Sequence, residues 1–409
     1  PRASHKLPEA ISSTIQEILY TLWDAGFKVG HASRSIAECI AEAKKDQQNK
    51  TALMDARFVA GDRKLFTAFN KRFEKECVQK GQEAFLDLRR EDLRHRHGKY
   101  SHTVFLQEPH VKESCGGLRD YQNVLWVARV KLGFTKLEQL VEAKIITKST
   151  CRQLNEGYDF LQRVRNELHY ESGRCTDVLT LRLPCIVATN FNYPQKTILR
   201  RCEAFMRDYY RHTRAIYTHS TSLMEYFEIK RQEGGNGGLL RMIPFANKKA
   251  KVARFDGFIA RNGRIFLENK NVLEEEPNRL MRLFQHCQIR SLSLSPQARK
   301  YIHIASKKID RAFRYSESNR ETFRAILERK GEVGRILRLM HRTKVLDNYL
   351  PEFGAMDCLV QHEFFHRYTA DEHTLRCIDQ LDSLYDDPSD TDPGRSLFRK
   401  LLHDIEDPY

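Results

Sequence analysis

The 409-residue sequence has no apolar run approaching the roughly 18 residues that cross a bilayer, and no charged-then-apolar leader opens it. No membrane partner is therefore expected, and the chain reads as soluble and cytoplasmic. It also lacks any Cys-x-x-Cys pair. Its ten cysteines, from Cys39 to Cys377, are scattered, and several, Cys202 among them, fall on apolar helical faces. That is the pattern of reduced, mostly buried thiols, and it argues against a zinc knuckle or a disulfide framework. No segment recurs at the roughly 20- to 50-residue period of a solenoid. An initiator methionine is absent too: the chain starts at Pro1 and stops at Tyr409 inside a helical pattern, so an internal piece of a longer protein is expected.

What the chain has in excess is positive charge. Lys and Arg number 69 against 54 Asp and Glu, a net +15 with a pI near 9.3. Acidic partners are favoured, whether nucleotide phosphates, nucleic acid or an acidic protein, and charge does not choose among them. The length suits two or three globular units of about 100 to 200 residues each.

The stretch Val111–Arg129, VKESCGGLRDYQNVLWVAR, organises the reading. Gly116 and Gly117 form a tight turn into a helix opened by Arg119 and Asp120, with Val124, Leu125, Val127 and Ala128 on one apolar face. Paired glycines let backbone approach a ligand closely. Lys112, Arg119 and the first N–H groups of the helix supply positive charge, so the turn could hold a phosphate. An ordinary loop-to-helix junction, with Arg119 and Asp120 pairing locally, accounts for the same residues.

Helical spacing of Ile11, Ile15, Ile18, Leu19 and Leu22 predicts a first helix over residues 8–23. A short strand to Gly30, a helix through Ile36, Cys39, Ile40 and Ala43, a strand over 52–59 and a helix through Leu65, Phe66, Phe69 and Phe73 then suggest an α+β layer. Residues 82–100 read as a helix ending in the basic cluster Arg94, His95, Arg96, His97 and Lys99. From Leu140 to Phe227 two long apolar stripes predict packed helices, one through Leu154, Tyr158, Leu161, Val164 and Leu168, the other from Ile198 to Phe227. Arg163, Arg165 and His169 on the first either point toward a ligand or join helices. EGGNGG at 233–238 reads as a flexible connector, and Asn262-Gly263 is the strongest hairpin signal in the chain. Ser295 with Pro296 reads as a helix cap and first-turn proline, Ser318 with Glu321 as a capping box, and Gly331 as a break between helices. Another capping box, Thr369 with Glu372, places His373 in the first turn of a late helix. His403 and Asp404 follow some thirty residues on.

These motifs together resemble the bacterial PII-protein uridylyltransferase/uridylyl-removing enzymes and, more loosely, the glutamine-synthetase adenylyltransferases. Besides the Gly-Gly turn, the resemblance rests on Asp24 and Gly26 before Val29-Gly30-His31-x-x-Arg34, on Thr51-x-Leu53-x-Asp55-x-Arg57, on FLQRVRNELHYESGR and CEAFMRDYYRHTRAI, and on the late HRYTADEHTL segment. It implies a mainly α protein with an α+β portion: the C-terminal part of a nucleotidyltransferase domain over 1–105, a helical nucleotide/substrate domain over 106–232, a small β insertion over 233–270, a helical linker over 271–350, and the start of an all-α HD phosphohydrolase domain over 351–409. It further implies UMP transfer from UTP to a tyrosine of the PII protein and its hydrolytic removal, with Mg²⁺ or Mn²⁺, and glutamine sensed by domains beyond this chain.

Carried residue by residue, the resemblance makes Asp55 the catalytic third carboxylate of a metal site and Lys112, Gly116, Gly117, Arg119 and Asp120 the nucleotide-binding turn. His373 becomes a metal ligand. Two-metal phosphoryl transfer needs clustered carboxylates, and the Gly-Ser element and paired aspartates that the family carries earlier are not in this sequence. Asp55 alone cannot form that site, and it could equally pair with Arg57 or Arg63. By register, His403 and Asp404 match the helix that precedes the family's His-Asp pair and are expected to be a decoy. The chain alone is thus expected to be inactive. A non-catalytic regulator binding nucleotide or an acidic protein on the same scaffold is the alternative. RNA binding is disfavoured because the aromatics follow helical core stripes, so nucleic acid is not an expected partner.

Overall fold

A computed structural model describes residues 9–234, 252–359, 367–386 and 392–409. The connector at 235–238 and the residues up to 251 lie outside the described residues. The architecture is mainly helical with one small sheet, as expected. The chain groups into two compact units, Pro1–Arg89 with Leu125–Leu140, and Arg90–Val124 with Val141–Tyr409.

The first unit holds α1 (Glu9–Asp24), α2 (Ile36–Lys45), α3 (Gln47–Met54), α4 (Arg63–Phe73) and a wider turn at Glu74–Val78. It also takes the opening of α5 (Gln82–Lys99), the end of α6 (Leu118–Leu132) and the start of α7 (Leu137–Glu142). Local chemistry starts these helices. Ser35 and Glu38 form a reciprocal capping box on α2, and the Asp46 and Asp62 carboxylates accept the first N–H groups of α3 and α4. Ile40, Met54, Phe69, Phe73, Phe85 and Trp126 form buried parts of the unit.

Two expected strands are absent. Residues 27–30 have no regular structure, and the expected strand at 52–59 is instead the end of α3 followed by an irregular stretch. The reason is Asp46: by capping Gln48 and Asn49 it commits the chain to a helix whose buried side is Lys50, Thr51 and Met54. The α+β layer predicted from the strand before Gly30 to the helix through Phe73 is therefore all helix and coil among the described residues.

In the second unit, α8 (Lys148–Ser172) packs along α10 (Ile198–Gly234), with α9 (Leu183–Asn190) against both. The predicted stripe buries Leu154, Leu161, Val164 and Leu168 completely. At Gly157 an added Cβ would come within 3.1 Å of Ile216, so glycine there lets the helices approach closely.

The sheet runs β1 (Ala253–Phe255), β2 (Phe258–Arg261), β3 (Arg264–Leu267), with β4 (Ser293–Leu294) parallel to β3. Asn262 and Gly263 turn β2 into β3 with φ of 52° and 70°, the left-handed pair that a two-residue hairpin demands. Around the sheet lie α11 (Val272–Glu275), α12 (Arg279–Ile289), α13 (Pro296–Ser306), α14 (Arg311–Tyr315), α15 (Glu317–Leu327), α16 (Val333–Arg342), α17 (Val345–Tyr349) and α18 (Pro351–Ala355). The last helices are α19 (Ala370–Asp386) and α20 (Pro393–His403). Phe258, Ile265, Met281, Phe284, Ile302 and Ile336 share one buried core.

Ser295 caps α13 with Pro296 in its first turn, as predicted. The two predicted capping boxes, at Ser318 and at Thr369, do not form. Helix α15 begins before Ser318, at Glu317, and the Thr369 hydroxyl is buried without a hydrogen bond. Glu372, the expected partner of Thr369, is held instead by Arg338 and Arg376 at 2.8 and 2.9 Å. An ion pair with two guanidiniums outcompetes a single backbone N–H.

Candidate functional site

The Gly-Gly turn is built by backbone crowding. Gly116 has φ +72°, and a Cβ there would lie 2.0 Å from the Thr213 carbonyl of α10; at Gly117 it would lie 2.7 Å from the carbonyl of Val111. Only glycine fits either position. The N–H groups expected to face a phosphate are used internally: Gly116 donates to Asp120, Gly117 to Ser114, Leu118 to Val111, Arg119 to Lys112 and Asp120 to Gly117. What the turn presents outward is side-chain charge. Lys112 and Arg119 are half-buried and share Glu113 at 3.8 and 3.6 Å, and Arg119 also donates to Gln122.

Asp120 has no exposed surface. Its carboxylate accepts from Arg96, from His97 at 3.0 Å and from the Gly116 N–H at 2.7 Å. Burial works to raise its pKa, but the His97 hydrogen bond and the Arg96 charge outweigh burial and hold it below the usual carboxylate value. Asp120 thus locks the end of α5 to the turn. The basic cluster of α5 splits accordingly: Arg96 and His97 are buried on Asp120, while Arg94 pairs with Glu91 in solvent. Arg165 and His169 both bond Asp177, and Arg163 lies over the Phe191 ring, so these three join segments of the helical region.

Asp55 ends α3 in the first unit. Its exposed carboxylate accepts the Trp126 indole N–H at 3.1 Å, a partner that local sequence spacing does not reveal. The described residues bring no group of three metal-ligand side chains together around it. His373 is exposed in the first turn of α19, its N–H bonded to the Thr369 carbonyl. Asp404 is exposed at the end of α20.

Sequence reasoning missed a charged network beside α19. His341 is buried, with Nε2 3.3 Å from Asp371, and with Nδ1 3.1 Å from Asp347 in a contact too poorly aligned for a full hydrogen bond. Burial alone would lower its pKa; the two carboxylates reverse that and push it up to about 9. His341, Asp347 and Asp357 place one ligand atom each within 4.8 Å of one another, the spacing of a metal site. Cationic side chains already fill that role. Lys344 bridges Asp347 and Asp357 at 3.4 and 2.5 Å, and Arg214 binds Asp357 at 2.7 Å. Asp357 sits at a pKa of about 2, because Arg214 and Lys344 outweigh its burial. Nearby, a cavity of about 260 Å³ opens among α10, α13, α16 and α19. The charge at 338–342 was visible in the sequence, but its convergence with residues on α10 and α13 was not.

Two family models match the chain: GlnD PII-uridylyltransferase over residues 84–224, and the uridylyltransferase GlnD third domain over residues 258–349. The bifunctional uridylyltransferase/uridylyl-removing enzymes of two Caulobacter vibrioides strains, NA1000 / CB15N and ATCC 19089, are each 31% identical over 366 residues. That similarity covers 90% of this chain and 39% of each relative, so the chain spans about two fifths of the length of the curated relatives it matches. No solved structure matches it.

Proposed function

Because the chain belongs to the GlnD PII-uridylyltransferase family, we propose that it is part of a bifunctional enzyme that transfers UMP from UTP to a tyrosine of the PII nitrogen-regulatory protein and removes it by hydrolysis. The observation that carries this reading is the 31% identity across 90% of the chain to enzymes named for both activities. The transfer joins the tyrosine oxygen to the α-phosphorus of UTP and releases pyrophosphate. In this reading Lys112 and Arg119 steer the triphosphate by charge alone, since the N–H groups of their turn are spent, and Gly116, Gly117 and Asp120 keep that turn rigid.

Mg²⁺ or Mn²⁺ belongs to the proposal as the family's cofactor. The residues around Asp55 do not by themselves fit it: the carboxylate is engaged by Trp126 and stands outside any cluster of three ligands among the described residues. The 409-residue chain alone is proposed to be inactive. His373, exposed at the head of α19, is proposed as a ligand of the removing site. Glutamine control would lie in segments other than this one.

The test is UMP incorporation into PII from labelled UTP with Mg²⁺. Protein from the intact reading frame is expected to label PII; the purified chain is not. Labelling by the chain would overturn its proposed inactivity.

A further inference from the structure

We propose that the cavity among α10, α13, α16 and α19 is a binding site for a small phosphoryl anion, either free phosphate or the phosphoryl end of a mononucleotide. Both lining carboxylates are consumed: Glu225 holds Arg299 at 2.8 Å, and Glu372 holds Arg338 at 2.8 Å and Arg376 at 2.9 Å. A third lining arginine, Arg214, is spent on Asp357.

Six further donors line the same space: Arg342, His102, His303, Tyr217, Thr218 and Thr221. Among the described residues none of the six makes a side-chain hydrogen bond or an ion pair. The cavity therefore holds hydrogen-bonding groups that are not engaged, one of them the donor-only Arg342 guanidinium, and no free carboxylate. A phosphoryl group, with several acceptor oxygens and negative charge, can take the Arg342 fork and the hydroxyl donors together.

Electrostatics point the same way. Burial, and after it neighbouring positive charges, Arg342 among them, hold His102 below its ordinary pKa, so that wall faces positive charge. Arg214, Arg299 and Arg338 are matched by Asp357, Glu225 and Glu372, which leaves Arg342 as the lining guanidinium with no carboxylate partner among the described residues. The volume of about 260 Å³ lies just below the usual range of roughly 300 to 1,000 Å³ for organic-ligand sites, which selects a small anion over a large cofactor. All lining residues belong to the second unit. The proposal does not depend on UMP transfer.

Isothermal titration of the purified chain tests it, with inorganic phosphate, UMP and acetate as the probes. Phosphate or UMP is expected to bind and acetate not to. Arg342→Ala is expected to weaken binding by about tenfold or more and Arg342→Lys by less, because charge survives while the guanidinium fork does not. Tyr217→Phe, which removes one hydroxyl and leaves the ring in place, is expected to weaken binding by up to about tenfold. UMP binding more tightly than phosphate identifies a nucleotide as the ligand; equal binding identifies free phosphate. Absence of binding at millimolar phosphate and UMP, equal binding of acetate, or wild-type affinity in both Arg342→Ala and Tyr217→Phe overturns the site.

Discussion

Asp120 illustrates how a residue marked as a ligand contact can be an internal lock. Asp120→Asn keeps the shape and removes the charge facing Arg96 and His97, so it is expected to cost about 3–5 kcal/mol of unfolding free energy, read from urea titrations at pH 7. The pKa of Asp120 is depressed in the fold. Its contribution is therefore complete above the ordinary carboxylate value of about 3.9 and lost as pH falls through the lower folded value, and the variant should lack that acid-side loss. His341 has the opposite sign. Its pKa rises to about 9 on folding, so the stability it contributes is full below about pH 6.5 and disappears as pH passes 9. Unfolding free energy is expected to drop by up to about 3 kcal/mol across that interval. Replacing His341 with Gln should flatten that slope; an unchanged slope would remove His341 as its origin. Of these groups, the sequence exposed Asp120 as special through its place after Gly-Gly, but not its burial. His341, Asp347 and Asp371 are separated by six and then twenty-four residues and carry no shared motif, so nothing local announced them.

Elements were legible where local chemistry decides them. The hairpin at Asn262-Gly263, the Ser295–Pro296 helix start and the paired stripes of α8 and α10 formed where expected, except that Ile198, the first residue of the second stripe, is exposed. Gly263 has open space around a would-be Cβ, so its value lies in its φ of +70° alone. Gly263→Val is accordingly expected to destabilise the second unit by about 1–2 kcal/mol through backbone strain, measured as a lower thermal midpoint; an unchanged midpoint would mean the turn relaxes freely. Elements were misread where two local signals compete. TALMDARFVA has strand-like residues, yet the Asp46 cap upstream had already set α3. At Thr369 the Glu372 side chain had stronger partners in Arg338 and Arg376, which lie 34 residues upstream and 4 residues downstream of it.

On the scale of the whole molecule, the family was readable because its motifs spread along most of the chain, from Val29-Gly30-His31 to the segment at Tyr368–Leu375. The net charge of +15 favours acidic partners without selecting any, and only the folded arrangement shows which of the cations are matched by carboxylates. The candidate site was less legible than the family: of the residues marked in advance, Gly116, Gly117 and Asp120 are engaged within the turn, Lys112 and Arg119 are half-buried around Glu113, Asp55 is exposed and bonded by Trp126, and His373 is exposed. The account stands most directly on mass spectrometry of PII incubated with UTP, Mg²⁺ and protein from the intact reading frame that contains this chain. It predicts a PII tyrosine carrying UMP. PII recovered unmodified, with UTP unconsumed, would contradict it.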